Sequence, residues 1–435
     1  MNKPAGSNQI GLWTSTSLVV GNIIGVGVFL IPSTLAAYGS ISFFGWLVAS
    51  FGAFLLSLVF GNLSTIIPHA SGGPYIYTRA GFGDLGGFLV AWGYWISVWV
   101  TNAAIAVGLV GYLSVFIPFI TSTPLLSVVT GLAAIWLLTW VNTKGVAKAG
   151  KLQLVTTILK LIPLCVMSIG GLFFMNFDHF IPANLSGESD LSAIASTTTI
   201  TLFAFLGIEC ATIPSANVKD PAKTIPKATR IGTVIAIVVY IVGSMSVMGI
   251  IPPDILAKSN APFADAAAIM WGEEARYIVA AGAVISTFGA LNGWILIQGQ
   301  IPAAIAKDKL FPKIFARENK NEAPVMSIII GSALASILMV MNYTKGLVSA
   351  FKFFLLLSTL CVLIPYLFSA AAYVLIAVQK NLKEHLTFGK ITIATLAFLF
   401  SFWAIIGSGE NAVYWGFLLL LAGIPFYIWI NYNRK

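Results

Sequence analysis

The chain reads as long apolar runs separated by short polar or charged segments. A helix needs about 20 mostly apolar residues to cross a hydrocarbon core about 30 Å thick. Twelve runs fit that pattern, near residues 13–38, 41–66, 85–117, 125–142, 152–174, 193–215, 231–251, 277–303, 325–341, 350–377, 391–407 and 412–430. They are continuous and rich in Leu, Ile and Ala, without the roughly ten-residue alternation of a barrel strand. The pattern predicts an all-α integral membrane protein. The residues before the first run are polar and carry one lysine, Lys3, with no small-residue cleavage site after the run. The first run is therefore expected to be retained as a span.

Composition narrows the class further. Of 435 residues, 58% are hydrophobic and 9% charged, against about 25% charged in a soluble domain. The 24 Lys+Arg and 15 Asp+Glu cannot wet a globule of this size. Soluble enzymes, nucleic-acid binders and disulfide-rich secreted domains are excluded. Cys165, Cys210 and Cys361 all fall in apolar runs, so no disulfide framework is implied.

The net charge of +9 acquires meaning when its residues are placed on loops. With the N-terminus inside, 19 of the 24 basic residues fall on cytoplasmic segments, including Lys144, Lys219, Lys307, Lys380 and Lys435. Lys258, Arg276 and Lys345 alone fall on the opposite loops, while Lys160 and Lys352 fall inside runs. This bias is the positive-inside signal, and it predicts both termini in the cytoplasm.

Two runs are interrupted. The first carries Gly21-Asn22-Ile23-Ile24-Gly25-Val26-Gly27-Val28-Phe29; the sixth carries Phe205-Leu206-Gly207-Ile208-Glu209-Cys210-Ala211-Thr212-Ile213-Pro214. Bare backbone at membrane depth is tolerated only where protein buries it or it lines a cavity. Small residues also serve close helix packing, but these two runs open two successive five-run blocks. An odd number of spans inverts the second block relative to the first. Paired interruptions at matching places in inverted repeats point to a transporter site. Free N–H groups there suit a carboxylate, and unwound carbonyls suit an ammonium.

These residues, together with Gly72-Gly73-Pro74-Tyr75-Ile76-Tyr77, Lys219-Asp220-Pro221, Leu310-Phe311-Pro312-Lys313 and Pro324-Val325, resemble the amino acid–polyamine–organocation superfamily. The resemblance is greatest to its basic amino acid/polyamine antiporters. It implies a LeuT-like fold of twelve transmembrane helices with helices 1 and 6 broken. Residues 13–174 and 193–377 would form a 5+5 inverted repeat, with 391–430 supplying two further helices. It also implies a single transporter domain, 1–435, in the bacterial inner membrane and a homodimer. Amides near Val26 and Gly27, beside Asn22, would bind the substrate carboxylate, and carbonyls of Ile23, Phe203 and Leu206 the amino group. Ser97, Val98, Asn102, Trp294 and Ser358 would line the side-chain pocket; Tyr94, Glu209 and Tyr366 would form the inner gate. Phe203 replaces the family's gate Trp, and Val26 lacks the hydroxyl of arginine-exchanging members.

Charges inside spans need a reason, since each costs about 2.5–3.5 kcal/mol on insertion scales. Glu209, in the second interruption, is placed to meet substrate or shuttle a proton. Lys160 resembles the lysine that takes the place of sodium in sodium-independent members, which favours proton coupling or free exchange. Lys352 is expected to snorkel to the interface. His69, His179 and His385 fall in loops, and no metal-ligand cluster, phosphate-cradling loop or Ser/His/Asp constellation emerges. No cofactor is expected. The expected activity is secondary transport of an amino acid or amine, led by exchange of cationic amino acids or polyamines. A proton-coupled permease of neutral or broad range is the alternative. An ion channel would require a pore-lining ring of carbonyls or charges, and none is evident.

Overall fold

A computed structural model describes residues 11–68, 72–144, 162–212, 218–321 and 323–432. The regular elements among these are helices, with no β-strand. In chain order they are α1 Leu12–Ile23, α2 Val26–Ala36, α3 Ser42–Ile66, α4 Pro74–Leu113 and α5 Pro124–Thr143. Then come α6 Ile162–Phe174, α7 Asp190–Leu202, α8 Pro221–Ile250, α9 Pro253–Leu256 and α10 Pro262–Trp271. The series ends with α11 Glu273–Lys307, α12 Val325–Met341, α13 Leu347–Gln379, α14 Phe388–Ile406, α15 Glu410–Leu421 and α16 Gly423–Tyr432.

Local chemistry starts many of these helices. Pro74, Pro124, Pro221, Pro253 and Pro262 each open one at its first position, where a missing N–H costs nothing and φ is already helical. Thr123 and Ser189 accept from Leu126 N and Ser192 N, capping α5 and α7.

Ten helical stretches among the described residues are long and apolar enough to cross a bilayer, and α6 and α12 are shorter apolar helices. Several helices outrun their apolar cores. α8 begins at Pro221 rather than near 231, and α4 begins at Pro74, although Gly83 (φ 77°, ψ −170°) breaks it close to the expected start near 85. Hydropathy marks the part of a helix that meets lipid, whereas the hydrogen-bonded helix continues into its polar ends.

Packing sorts the helices into two groups. α8 lies against α1 and α3, and α7 against α3. α4 packs on α11, α12 and α5, and its most extensive partner is α13. α14 covers α13 and α3 from outside, and α15 covers α13. The α1–α2 stretch is almost wholly buried, whereas α14 to α16 expose Phe402, Trp415 and Trp429 on the rim. Lys352 Nζ donates to Tyr38 Oη at 3.1 Å and lies 4.9 Å from that ring's centroid, tying α13 to the loop after α2.

Candidate functional site

Helix α1 ends at Ile23, and the chain passes through Ile24 (φ −74°, ψ 88°) and Gly25 (φ −120°, ψ −142°) before α2 begins. A helix start leaves its first N–H groups without intrahelical acceptors. Gly25 has no side chain with which to cap them. The positive end of α2 is therefore bare backbone, centred on Val26 and Gly27.

A second interruption follows α7. One 3₁₀ turn covers Phe203–Phe205, Leu206 is extended (φ −61°, ψ 132°), and another 3₁₀ turn covers Ile208–Thr212. Gly207 joins them at φ +104°, a conformation that favours glycine. A Cβ on Gly207 would lie 3.3 Å from Asn22 Cβ, so absence of a side chain also lets the two interruptions meet. At Gly27 a Cβ would lie 3.3 Å from Ala204 Cα, and the same close approach recurs one turn away.

Where they meet there is a cavity. Asn22, Ile23, Gly25, Val26 and Gly27 form one wall, and Phe203, Ala204 and Leu206 another. Trp294 of α11 and Thr101 and Ile105 of α4 complete it. No charged side chain is among these residues. The polar groups are amide N–H and C=O groups, the Asn22 amide, the Thr101 hydroxyl and the Trp294 indole. Such a lining suits a small solute carrying both an acceptor and a donor group. Phe203 also meets Phe351 edge-on at 5.9 Å, linking this wall to α13.

Seven of the substrate-binding residues expected from sequence thus share one cavity: Asn22, Ile23, Val26, Gly27, Phe203, Leu206 and Trp294. Ser97, Val98, Asn102 and Ser358 are buried but do not line it. Ser358 Oγ lies 2.5 Å from Thr101 Oγ1 and donates to Ser97 O at 3.0 Å. Since Ser358 spends its only proton on Ser97, the Thr101 hydroxyl is the donor between the two. Asn102 Nδ2 donates to Gln298 Oε1 at 2.8 Å, and Gln298 Nε2 donates to Ser332 Oγ and Ile328 O. These groups form a hydrogen-bonded backing behind the wall.

Tyr94, Glu209 and Tyr366 converge. The fully buried Glu209 carboxylate accepts from Tyr94 Oη at one oxygen and from Tyr366 Oη, at 2.6 Å, at the other. The acid therefore ties the second interruption to α4 and α13 at once. It stands three residues beyond Leu206. Lys160 lies outside the described residues.

Sequence reasoning did not find Thr101 or Ile105. They sit among apolar and small residues in the long part of α4 that follows the break at Gly83 (φ 77°, ψ −170°), where no polarity contrast or further backbone break sets them apart. Tyr240 of α8 was also missed; its hydroxyl donates to Ile23 O at 2.5 Å.

The stacked apolar helices and the cavity between two interruptions define a multi-pass membrane protein with a cavity at the junction of its broken helices. Residues 10–425 match the family described as amino acid permease, and the chain belongs to that family. It is 31% identical over 430 residues to a putative arginine/ornithine antiporter of Bacillus subtilis, covering 91% of each chain. It is 31% identical over 424 residues to the putrescine transporter PotE of Escherichia coli, covering 97% of this chain and 96% of that one. The cadaverine/lysine antiporter of Escherichia coli is 29% identical over 440 residues, covering 99% and 97%.

Proposed function

We propose that this chain exchanges a cationic amino acid or polyamine across the bacterial cytoplasmic membrane by alternating access, without sodium. The observation that carries this reading is the cavity between the two interruptions, lined by the bare start of α2 on one side and Ile23, Phe203 and Leu206 on the other. A carboxylate fits the N–H end of α2, and an ammonium fits the carbonyls of the unwound segments. Trp294 offers a ring face to a guanidinium or a distal ammonium. The names of the relatives support this substrate class.

In this reading the ten long apolar stretches and the two shorter ones are twelve spans. Residues 13–174 and 193–377 are the inverted halves, and their broken first members hold the substrate. The basic loops put both termini in the cytoplasm. Tyr94, Glu209 and Tyr366 form the inner barrier beneath the cavity; opening it requires α4, α13 and the second interruption to part. Lys160 stands in for a sodium ion.

A second reading, a proton-coupled permease of neutral or broad-range amino acids, is favoured by one observation: no carboxylate among the described residues lines the cavity to pair with a cationic side chain. Uptake into proteoliposomes preloaded with single amino acids or amines, with and without a proton gradient, separates the two. Exchange predicts uptake of labelled arginine, ornithine, lysine, putrescine or cadaverine only against an internal partner. Uptake into empty vesicles driven by a proton gradient supports the second reading, and no flux of any of these solutes overturns both.

A further inference from the structure

One side chain outside the cavity wall touches both interruptions. Tyr240 of α8 is fully buried. Its hydroxyl donates to the Ile23 carbonyl at 2.5 Å. One hydroxyl therefore holds the last carbonyl of α1 at the gap before α2. The ring of Tyr240 faces the other interruption. It meets Phe205 edge-on at 5.6 Å and stacks on Trp46 of α3 at 5.5 Å and 30°. Trp46 and Phe205 also touch each other edge-on at 6.0 Å, which closes the cluster.

A helix C-terminus leaves its last carbonyls without intrahelical donors. A carbonyl in an unwound segment can rotate with its peptide plane, and a freely rotating acceptor is a poor ligand. Engaging one lone pair of Ile23 O fixes the plane and leaves the second lone pair directed elsewhere. Ile23 itself lines the cavity. The Phe205 contact then makes the orientation of that carbonyl depend on where the second interruption stands.

We propose that Tyr240 is a positioning residue for amine recognition: its hydroxyl sets the Ile23 carbonyl for the ammonium, and its ring transmits the position of the Phe203–Phe205 turn. This rests on the exchanger reading above, and Tyr240 makes no contact with solute in it. Removing the hydroxyl frees the carbonyl, whereas loosening the ring stack weakens only the coupling.

The test uses the full-length protein with Tyr240→Phe, which keeps the ring in its packing, and Trp46→Phe, which keeps the hydroxyl. Exchange in proteoliposomes gives KM and kcat for arginine and putrescine, and hydrogen–deuterium exchange of the solute-free protein gives protection of residues 20–28. Loss of a buried hydrogen bond predicts that Tyr240→Phe raises KM by about five- to tenfold, with kcat within about twofold. Amide exchange at 20–28 quickens in the same variant, and Trp46→Phe raises KM by about two- to threefold. A role confined to packing lowers thermal stability without moving KM, and an unchanged KM for Tyr240→Phe overturns the proposal. If the wild-type protein transports neither solute, the exchanger reading fails on its own. The amide-exchange contrast still decides whether Tyr240 holds the gap, and equal protection in wild type and Tyr240→Phe overturns that.

Discussion

The two interruptions differ in how they are closed. The first has no charge: Ile24 and Gly25 leave the helical region, and the backbone groups exposed there meet the cavity or Tyr240. The second contains a buried acid, and both of its carboxylate oxygens are taken by tyrosines from other helices. One is a neutral gap held open by a neighbour; the other is a knot across three elements. A gap of bare amides and carbonyls can bind and release a zwitterion or a cation with no change of its own charge. A knot centred on an acid is held by strong hydrogen bonds and must break for α4 and α13 to part. The first interruption is thereby suited to binding and the second to gating.

Removing the acid has the largest expected effect. Glu209→Gln replaces one acceptor oxygen by an NH₂ that cannot accept from a tyrosine, so one hydrogen bond is lost and the other weakened, about 2–3 kcal/mol in all and a fall of roughly 30- to 150-fold in exchange rate. Radiolabelled exchange over a range of pH checks this, and unchanged rates at every pH would show that the knot does not gate. Gly207→Ala comes next. At φ +104° a Cβ costs about 1–2 kcal/mol and presses on Asn22, so exchange falls by about tenfold in protein that still inserts. Gly25→Ala, at a negative φ and with a Cβ 3.4 Å from Ala290 Cβ, costs less. Equal loss in the two would erase the distinction between the interruptions.

Trp294→Ala tests the binding side. Loss of a cation–π contact of about 1 kcal/mol raises KM for arginine or putrescine by about fivefold more than for a neutral amino acid. Equal losses would show that the ring only packs. The smallest effect lies away from both interruptions. Burial, with Lys390 adding to it and Glu384 opposing it, holds the His385 imidazole below its ordinary value of 6.5. The neutral ring is favoured in the folded chain, so its contribution is complete above that value and is lost as the pH falls below it. The thermal midpoint of wild type should fall by about 1–2 °C more than that of His385→Gln between about pH 7.5 and 5.5.

Much of this was legible in the sequence because the bilayer makes deviations conspicuous. Gly21, Gly25, Gly27 and Gly207 stand out in apolar runs, and so does Glu209, the acid among them. Helix ends were less legible, since apolarity reports lipid contact and not hydrogen bonding: Pro74 and Pro221 start helices in segments that read as loops. Lys352 illustrates the same gap, because its partner Tyr38 is 314 positions away. Thr101 and Tyr240 were not legible for a different reason. A hydroxyl on a buried helix becomes part of a site only through what faces it. For Tyr240 that is Ile23, 217 positions away.

The central claim is that solute binds between the two interruptions, and substrate protection from alkylation tests it most directly. With Cys165, Cys210 and Cys361 replaced, single cysteines are placed at Thr101 in the cavity and at Ser127 in a separate cavity beside Met339 and Phe354. A transported amine should slow alkylation of Thr101→Cys by about tenfold and leave Ser127→Cys unchanged. Equal rates at Thr101→Cys with and without a saturating transported amine would contradict the account.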